Sequence, residues 1–254
     1  ENELIIKRES PTPLSAMVQS LNTAALKTLT TILLRPSLTV PHLSLPGVSY
    51  VDYAALRAHA GIRAVAFDKD NTLTAPYENF IHTDAAFGLS GAISAFGVEN
   101  VAILSNSAGT ADDADFRDAL EIEEALGIAV IRHSTKKPGG MDEVLTHFGL
   151  TDPAELCVVG DRLLTDVVFG NLHGCMTVHV LPLCKGADNA KDNKVAKIVR
   201  SIENAALYGD WFVGRKLREG GPGKHKFWTG ESSLILDRDS AAFDMSKVGS
   251  PEAK

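Results

Sequence analysis

Apolar positions along the chain follow two patterns that take turns. Short β-branched runs at 62–67 (IRAVAF), 101–104 (VAIL), 128–131 (IAVI), 156–159 (LCVV) and 177–181 (TVHVL) lack the polar alternation of a half-exposed strand. Between them lie stretches with helical spacing near 83–96, 110–126, 139–149 and 165–173, and another near 192–207 follows the last run. Fully apolar strands separated by helices predict an α/β fold: a Rossmann-like parallel sheet with helices on both faces. Ligands of such sheets sit at the carboxyl ends of the strands, beside the point where the strand order reverses.

The flanks are patterned differently. Residues 14–34 place Leu14, Met17, Val18, Leu21, Ala25, Leu29, Ile32 and Leu33 at helical spacing. This amphipathic helix suits packing on the core, lying in a membrane interface or serving as a targeting segment. Pro36, Pro41, Pro46 and Gly47 punctuate residues 36–50 and predict an extended linker crossing a surface. The expected division is a tail at 1–13, helix and linker at 14–60, the α/β core at 61–184, a basic aromatic extension at 185–228 and a second tail at 229–254.

Composition narrows the classes. With 44% apolar residues in 254, the chain can bury a sizeable core as one domain with appendages. No run reaches 18 uninterrupted apolar residues, so no conventional membrane span is expected. Cys157, Cys175 and Cys184 are odd in number and lack metal-binding spacing, which points to reduced thiols. A net charge of −7 argues against a nucleic-acid partner. The charge is uneven, however: Ser10 to Val51 holds no acid, and Lys185 to Trp228 holds ten Lys and Arg against five acids. Residues 14–34 and the basic, aromatic 211–228 could both dock on an anionic bilayer, although a solvated face is the simpler account of the second.

The strand ends carry the chemistry. Asp68 and Asp70 leave the first run, Ser105 the second, Lys136 and Lys137 follow the third, and Asp161 with Asp166 the fourth. Positions i and i+2 at a strand end point to one side, so Asp68 and Asp70 are expected to converge. Paired carboxylates repel unless a cation lies between them, and Asp161 from another strand would complete an oxygen set that Mg²⁺ accepts. Taken singly, Asp161, Asp166 and Ser105 read equally well as helix caps or turn residues. Of the two lysines, one before Pro138-Gly139-Gly140 is placed to hold a phosphate by charge.

The ordered set resembles the haloacid dehalogenase-like phosphatase superfamily: DxDx[TV] at Asp68 to Thr72, Ser105, a lysine, and GDxxxxD at Gly160 to Asp166. The resemblance implies that Asp68 is the nucleophile and Asp70 the general acid/base. It places Mg²⁺ on Asp68, Asp161 and the Asp70 carbonyl. Ser105 and Lys137 would bind phosphoryl oxygens, Lys137 being preferred because the superfamily's lysine commonly precedes a proline. Asp166 would orient Lys137 or a metal-bound water, with Asn71, Thr72 and Asn106 in support and Thr72 fixing the turn.

Asp70 to Ser105 and Ser105 to Lys137 are each little longer than one helix with its loops, so no cap domain is expected and the site should admit a bulky substrate. FDKDNTLT, PSLTVPHL, ILSNSAG and VVGDRLLTDVVFGN further resemble the mitochondrial phosphatidylglycerophosphate phosphatase subgroup. That likeness implies release of phosphatidylglycerol for cardiolipin synthesis by a peripheral enzyme on the matrix face of the mitochondrial inner membrane. Arg132, His133 and Lys136 are candidates to contact the lipid's inner phosphodiester, or they form a plain solvated loop. The competing readings are a capless phosphatase of phosphoproteins or nucleic acid ends, and a catalytically silent membrane scaffold. The scaffold's signature, a lost catalytic aspartate, is absent.

Overall fold

The computed structural model describes residues 31–32, 34–184, 225–228, 230 and 233–236. Most of the predicted helix at 14–34, the helical stretch near 192–207 and most of the extension at 185–228 and the tail beyond lie outside the described residues. The chain divides into two units, Glu1–Pro36 and Ser37–Lys254. In the first, the amide of Arg35 donates to the carbonyl of Thr31 (2.9 Å), one helical turn.

Among the described residues, the second unit is built on six parallel strands: β1 (Leu43–Leu45), β2 (Ala64–Phe67), β3 (Val101–Ile103), β4 (Ala129–Val130), β5 (Leu156–Gly160) and β6 (Met176–Val180). Their order is β1-β6-β5-β2-β3-β4. From β2 the chain moves outward through β3 and β4, then returns to the other side of β2 as β5. The order therefore reverses between β2 and β5, and the strands carrying Asp68 and Asp161 are neighbours.

Alternate strand residues feed two cores. Val65, Phe67, Ile103 and Val159 pack with Leu56 of α1 (Tyr53–His59), Leu89 of α2 (Thr83–Phe96) and Ile122 of α3 (Arg117–Leu126). Ala64, Ala66, Ala102 and Val158 face the other way, against Val144 of α4 (Met141–Phe148) and Phe169 of α5 (Val168–His173). Because both faces are covered, β2 needs no polar alternation, and all four of its residues are buried. Gly88 lets α2 close on the turn at 48–50, where a Cβ would collide with the Val48 backbone.

Three expectations change. Residues 36–50 do not cross a surface as a linker: Leu38, Val40, Leu45 and Val48 are buried, and β1 extends the sheet along β6. Pro41 and Pro46 flank this three-residue edge strand without entering its ladder, so they remove no hydrogen bond from it. The sequence pattern also gives no sign of α1, which Asp52 caps by accepting from the amide of Ala55 (2.8 Å). The helix expected from 110 begins at 117. Asp113 accepts the amides of Gly109 (2.8 Å), Asp118 (3.0 Å) and Ala119 (3.0 Å), folding the intervening residues into a loop. Burial opposes its charge, but these donors hold its pKa below the usual carboxylate value.

Candidate active site

Four loops converge at the carboxyl ends of β2 to β5. Asp68 is still in sheet register, its amide donating to the carbonyl of Val159 in β5 (2.8 Å). The chain then curls: the Lys69 carbonyl accepts the amides of Thr72 (3.3 Å), Leu73 (3.0 Å) and Thr74 (3.1 Å). Asn71 sits at φ 65°, a left-handed conformation that asparagine tolerates better than most residues. Its side-chain oxygen accepts the amide of Cys184 (3.2 Å) and its carbonyl that of Leu183 (3.1 Å), tying the chain beyond β6 to this turn. Thr72 helps fix the turn through its backbone; its buried hydroxyl has no hydrogen-bond partner among the described residues.

Lys137 is the centre of the cluster. Its ammonium lies 2.7 Å from Asp68 Oδ1, 2.5 Å from Asp166 Oδ1 and 2.7 Å from the Leu104 carbonyl. Burial disfavours this cation, yet Asp166 and Asp68 outweigh it and hold its pKa above that of an ordinary lysine. Burial pushes the Asp166 carboxyl upward while Lys137 pulls it back. Gly160 makes room for Asp166, whose carboxylate occupies the space a Cβ would take. Asp166 Oδ2 also accepts the amide of Arg162 (3.2 Å).

Ser105 and Asn106 leave β3 beside these groups. Asn106 Oδ1 accepts the backbone amide of Lys137 (2.9 Å). Ser105 is buried, with its hydroxyl 3.1 Å from that of Ser107. His133 joins the loops after β3 and β4, its ring nitrogens 2.8 Å from the Ser105 carbonyl and 2.7 Å from that of Thr135. Ser107 and the positioning part of His133 carried no signal in sequence, because each depends on a contact across loops.

One carboxylate oxygen each from Asp68, Asp161 and Asp166 gather within 4.8 Å of one another. The Asp70 carboxylate is not part of this set. Asp70 turns its carboxylate to Lys69 Nζ (2.9 Å) and the amide of Tyr77 (3.2 Å), because a cation is available one residue away. Asp68 and Asp166 share the ammonium of Lys137, and burial makes each charged carboxylate there depend on such partners. A divalent cation with oxygen preference suits that donor set.

The remaining candidates sit elsewhere. Lys136 pairs with Asp112 (2.7 Å) at half exposure. Arg132 grips Glu123 with two nitrogens (2.8 and 2.9 Å) and lies over the ring of Phe116. Neither reaches the Lys137 cluster, because each is engaged by an acid preceding β4. Of the two adjacent lysines, Lys137 enters the site. No domain interrupts the chain from Asp70 to Lys137: the two intervals hold α2 and α3 with their loops and short turns.

Residues 23–182 match the model of the mitochondrial PGP phosphatase family. Among curated proteins, the chain is 48% identical over 149 residues to "Phosphatidylglycerophosphate phosphatase 1, chloroplastic" of Chlamydomonas reinhardtii, covering 58% of this chain and 54% of that protein. It is 41% identical over 170 residues to the chloroplastic/mitochondrial phosphatidylglycerophosphate phosphatase 1 of Arabidopsis thaliana (66% and 47% covered). It is 37% identical over 153 residues to the mitochondrial phosphatidylglycerophosphatase GEP4 of Saccharomyces cerevisiae (59% and 81% covered). The chain thus spans about half the length of the first two relatives. No solved structure is significantly similar to it.

Proposed function

The chain belongs to the mitochondrial PGP phosphatase family, and from that premise we propose that it is a phosphoric monoester hydrolase that converts phosphatidylglycerophosphate to phosphatidylglycerol and phosphate. The product would feed cardiolipin synthesis. The observation that carries the reading is Lys137, held between Asp68 and Asp166 at the strand order reversal.

Phosphate monoesters hydrolyse extremely slowly without a catalyst, and covalent catalysis divides the barrier. The Asp68 carboxylate attacks phosphorus while the bond to the glycerol oxygen breaks, and Asp70 protonates the departing alkoxide. Water then attacks the aspartyl-phosphate, giving its proton to Asp70 and returning the electron pair to Asp68. Lys137 and Ser105 hold the phosphoryl oxygens, and Asp166 keeps the lysine aimed. A magnesium ion held by Asp68, Asp161 and the Asp70 carbonyl would neutralise charge on the phosphoryl group.

A lipid substrate fits a site without a cap domain. Among the described residues no helix is long and apolar enough to cross a membrane. We place the enzyme peripherally on an anionic surface, the matrix face of the mitochondrial inner membrane, with residues 14–34 and 211–228 as contacts. The test is phosphate release from phosphatidylglycerophosphate in detergent micelles. The expected result is activity that EDTA abolishes, excess Mg²⁺ restores and Asp68→Asn lacks. Equal turnover by the variant would overturn the mechanism, and preference for a phosphopeptide would overturn the substrate.

A further inference from the structure

Lys69 lies between the two catalytic aspartates and is 5% exposed. A buried ammonium is costly unless paired, and an apolar residue of similar size would fill the space at lower cost. Among the described residues its ion-pair partner is Asp70 Oδ1, at 2.9 Å. Neighbouring residues on an extended chain point to opposite sides, so this pair requires the curl that stacks three amides on the Lys69 carbonyl. The amide of Tyr77, itself at φ 64°, donates to the same oxygen (3.2 Å). Asp70 Oδ1 therefore accepts two donors from opposite sides of the turn, whereas Oδ2 accepts none among the described residues. The Asp70 side chain is 27% exposed, and its unbound oxygen is not among the buried unpartnered atoms, so it has access to solvent.

We propose that Lys69 is a positioning residue for the acid/base: it pins Asp70 by Oδ1 and so assigns proton transfer to Oδ2. The inference rests on the phosphatase reading. As the bond from phosphorus to the glycerol oxygen breaks, its electron pair stays on that oxygen, which takes the proton from Asp70 Oδ2. In the second step Oδ2 takes a proton from the attacking water as the bond between phosphorus and Asp68 breaks. A carboxylate free to rotate would present the wrong oxygen, or none, for much of the time, and the cost would fall on proton transfer alone.

A leaving group that needs no proton isolates this role. The full chain is assayed on phosphatidylglycerophosphate and on the same lipid with sulfur bridging phosphorus and glycerol, whose thiolate departs unprotonated. The quantity read is kcat/KM, which reports steps up to phosphoryl transfer. Lys69→Met is expected to lose roughly 10²-fold on the oxygen ester, within the range of general acid catalysis, and less than about 5-fold on the sulfur ester. Lys69→Arg, which keeps the cation, is expected to recover most of the loss. Should Lys69→Met fail to fold, Lys69→Leu, which likewise lacks a donor and fills apolar space, is read by the same ratio. An equal loss on both esters, or none on the oxygen ester, overturns the inference. Absence of phosphate release from the oxygen ester by the unaltered chain would instead overturn the phosphatase reading.

Discussion

The two ends of the sheet bury polar side chains by opposite means. At the carboxyl ends, Asp68, Asp161 and Asp166 gather their carboxylates, and the charged ammonium of Lys137 bridges two of them. At the amino end of β6 the buried groups are neutral and matched. His42 Nδ1 accepts the amide of Thr177 (3.1 Å), the Thr177 hydroxyl donates to Asn171 Oδ1 (3.0 Å), and Asn171 Nδ2 donates to the carbonyls of Leu38 (2.9 Å) and Val40 (2.8 Å). Burial, with nearby His225 adding to it, lowers the His42 pKa to about 4, so the ring is neutral. The neutral end fastens β1 to the sheet; the charged end gathers the carboxylates that the proposed cation would meet.

Breaking the charged end should produce the largest effects. Asp68→Asn is expected to lower phosphate release by roughly 10⁴-fold or more, as loss of a nucleophile does in other covalent enzymes, with an unchanged circular dichroism spectrum. Lys137→Met leaves buried acids without their cation and should cost about 3–5 kcal/mol in urea unfolding, together with activity. Adding Asp166→Asn should recover much of that stability and none of the activity, separating charge balance from catalysis.

The neutral end answers to pH. Folding depresses the His42 pKa, so below about pH 6.5 the unfolded chain binds the proton that the folded chain refuses. Stability from this residue is complete above that pH and is lost as pH falls toward 4, about 3 kcal/mol in all. Thermal unfolding from pH 7 to pH 4.5 should show the decline, and His42→Asn, whose Oδ1 can take the place of Nδ1, should flatten it. The smallest effect belongs to Arg132→Gln. Its pair with Glu123 is about one-third exposed, so a loss of about 1 kcal/mol is expected, with kcat/KM within twofold.

Much of the carboxyl end was legible before the fold was known, because a parallel sheet delivers chemistry where its strands stop. Asp68, Ser105, Lys137, Asp161 and Asp166 are each one to seven residues beyond a strand. Partnerships were not legible. Arg132 and Lys136 share a segment with Lys137, but Glu123 and Asp112, remote in order and near in space, hold them elsewhere. The pairing of Asp70 with its own neighbour Lys69 depends on the turn that follows β2 and left no mark in the pattern. At the amino end, β1 and α1 escaped notice because three residues between prolines and seven residues of helix are too short for periodicity to show.

The bond from Asn71 to Cys184 gives the molecule a built-in reporter. Burial suppresses ionisation of Cys157 and pushes the Cys175 pKa up to about 12, whereas Cys184 is partly exposed. A thiol-directed fluorophore should therefore label Cys184 first, beside the turn that carries Asp70, and its emission would follow that turn as phosphate enters and leaves.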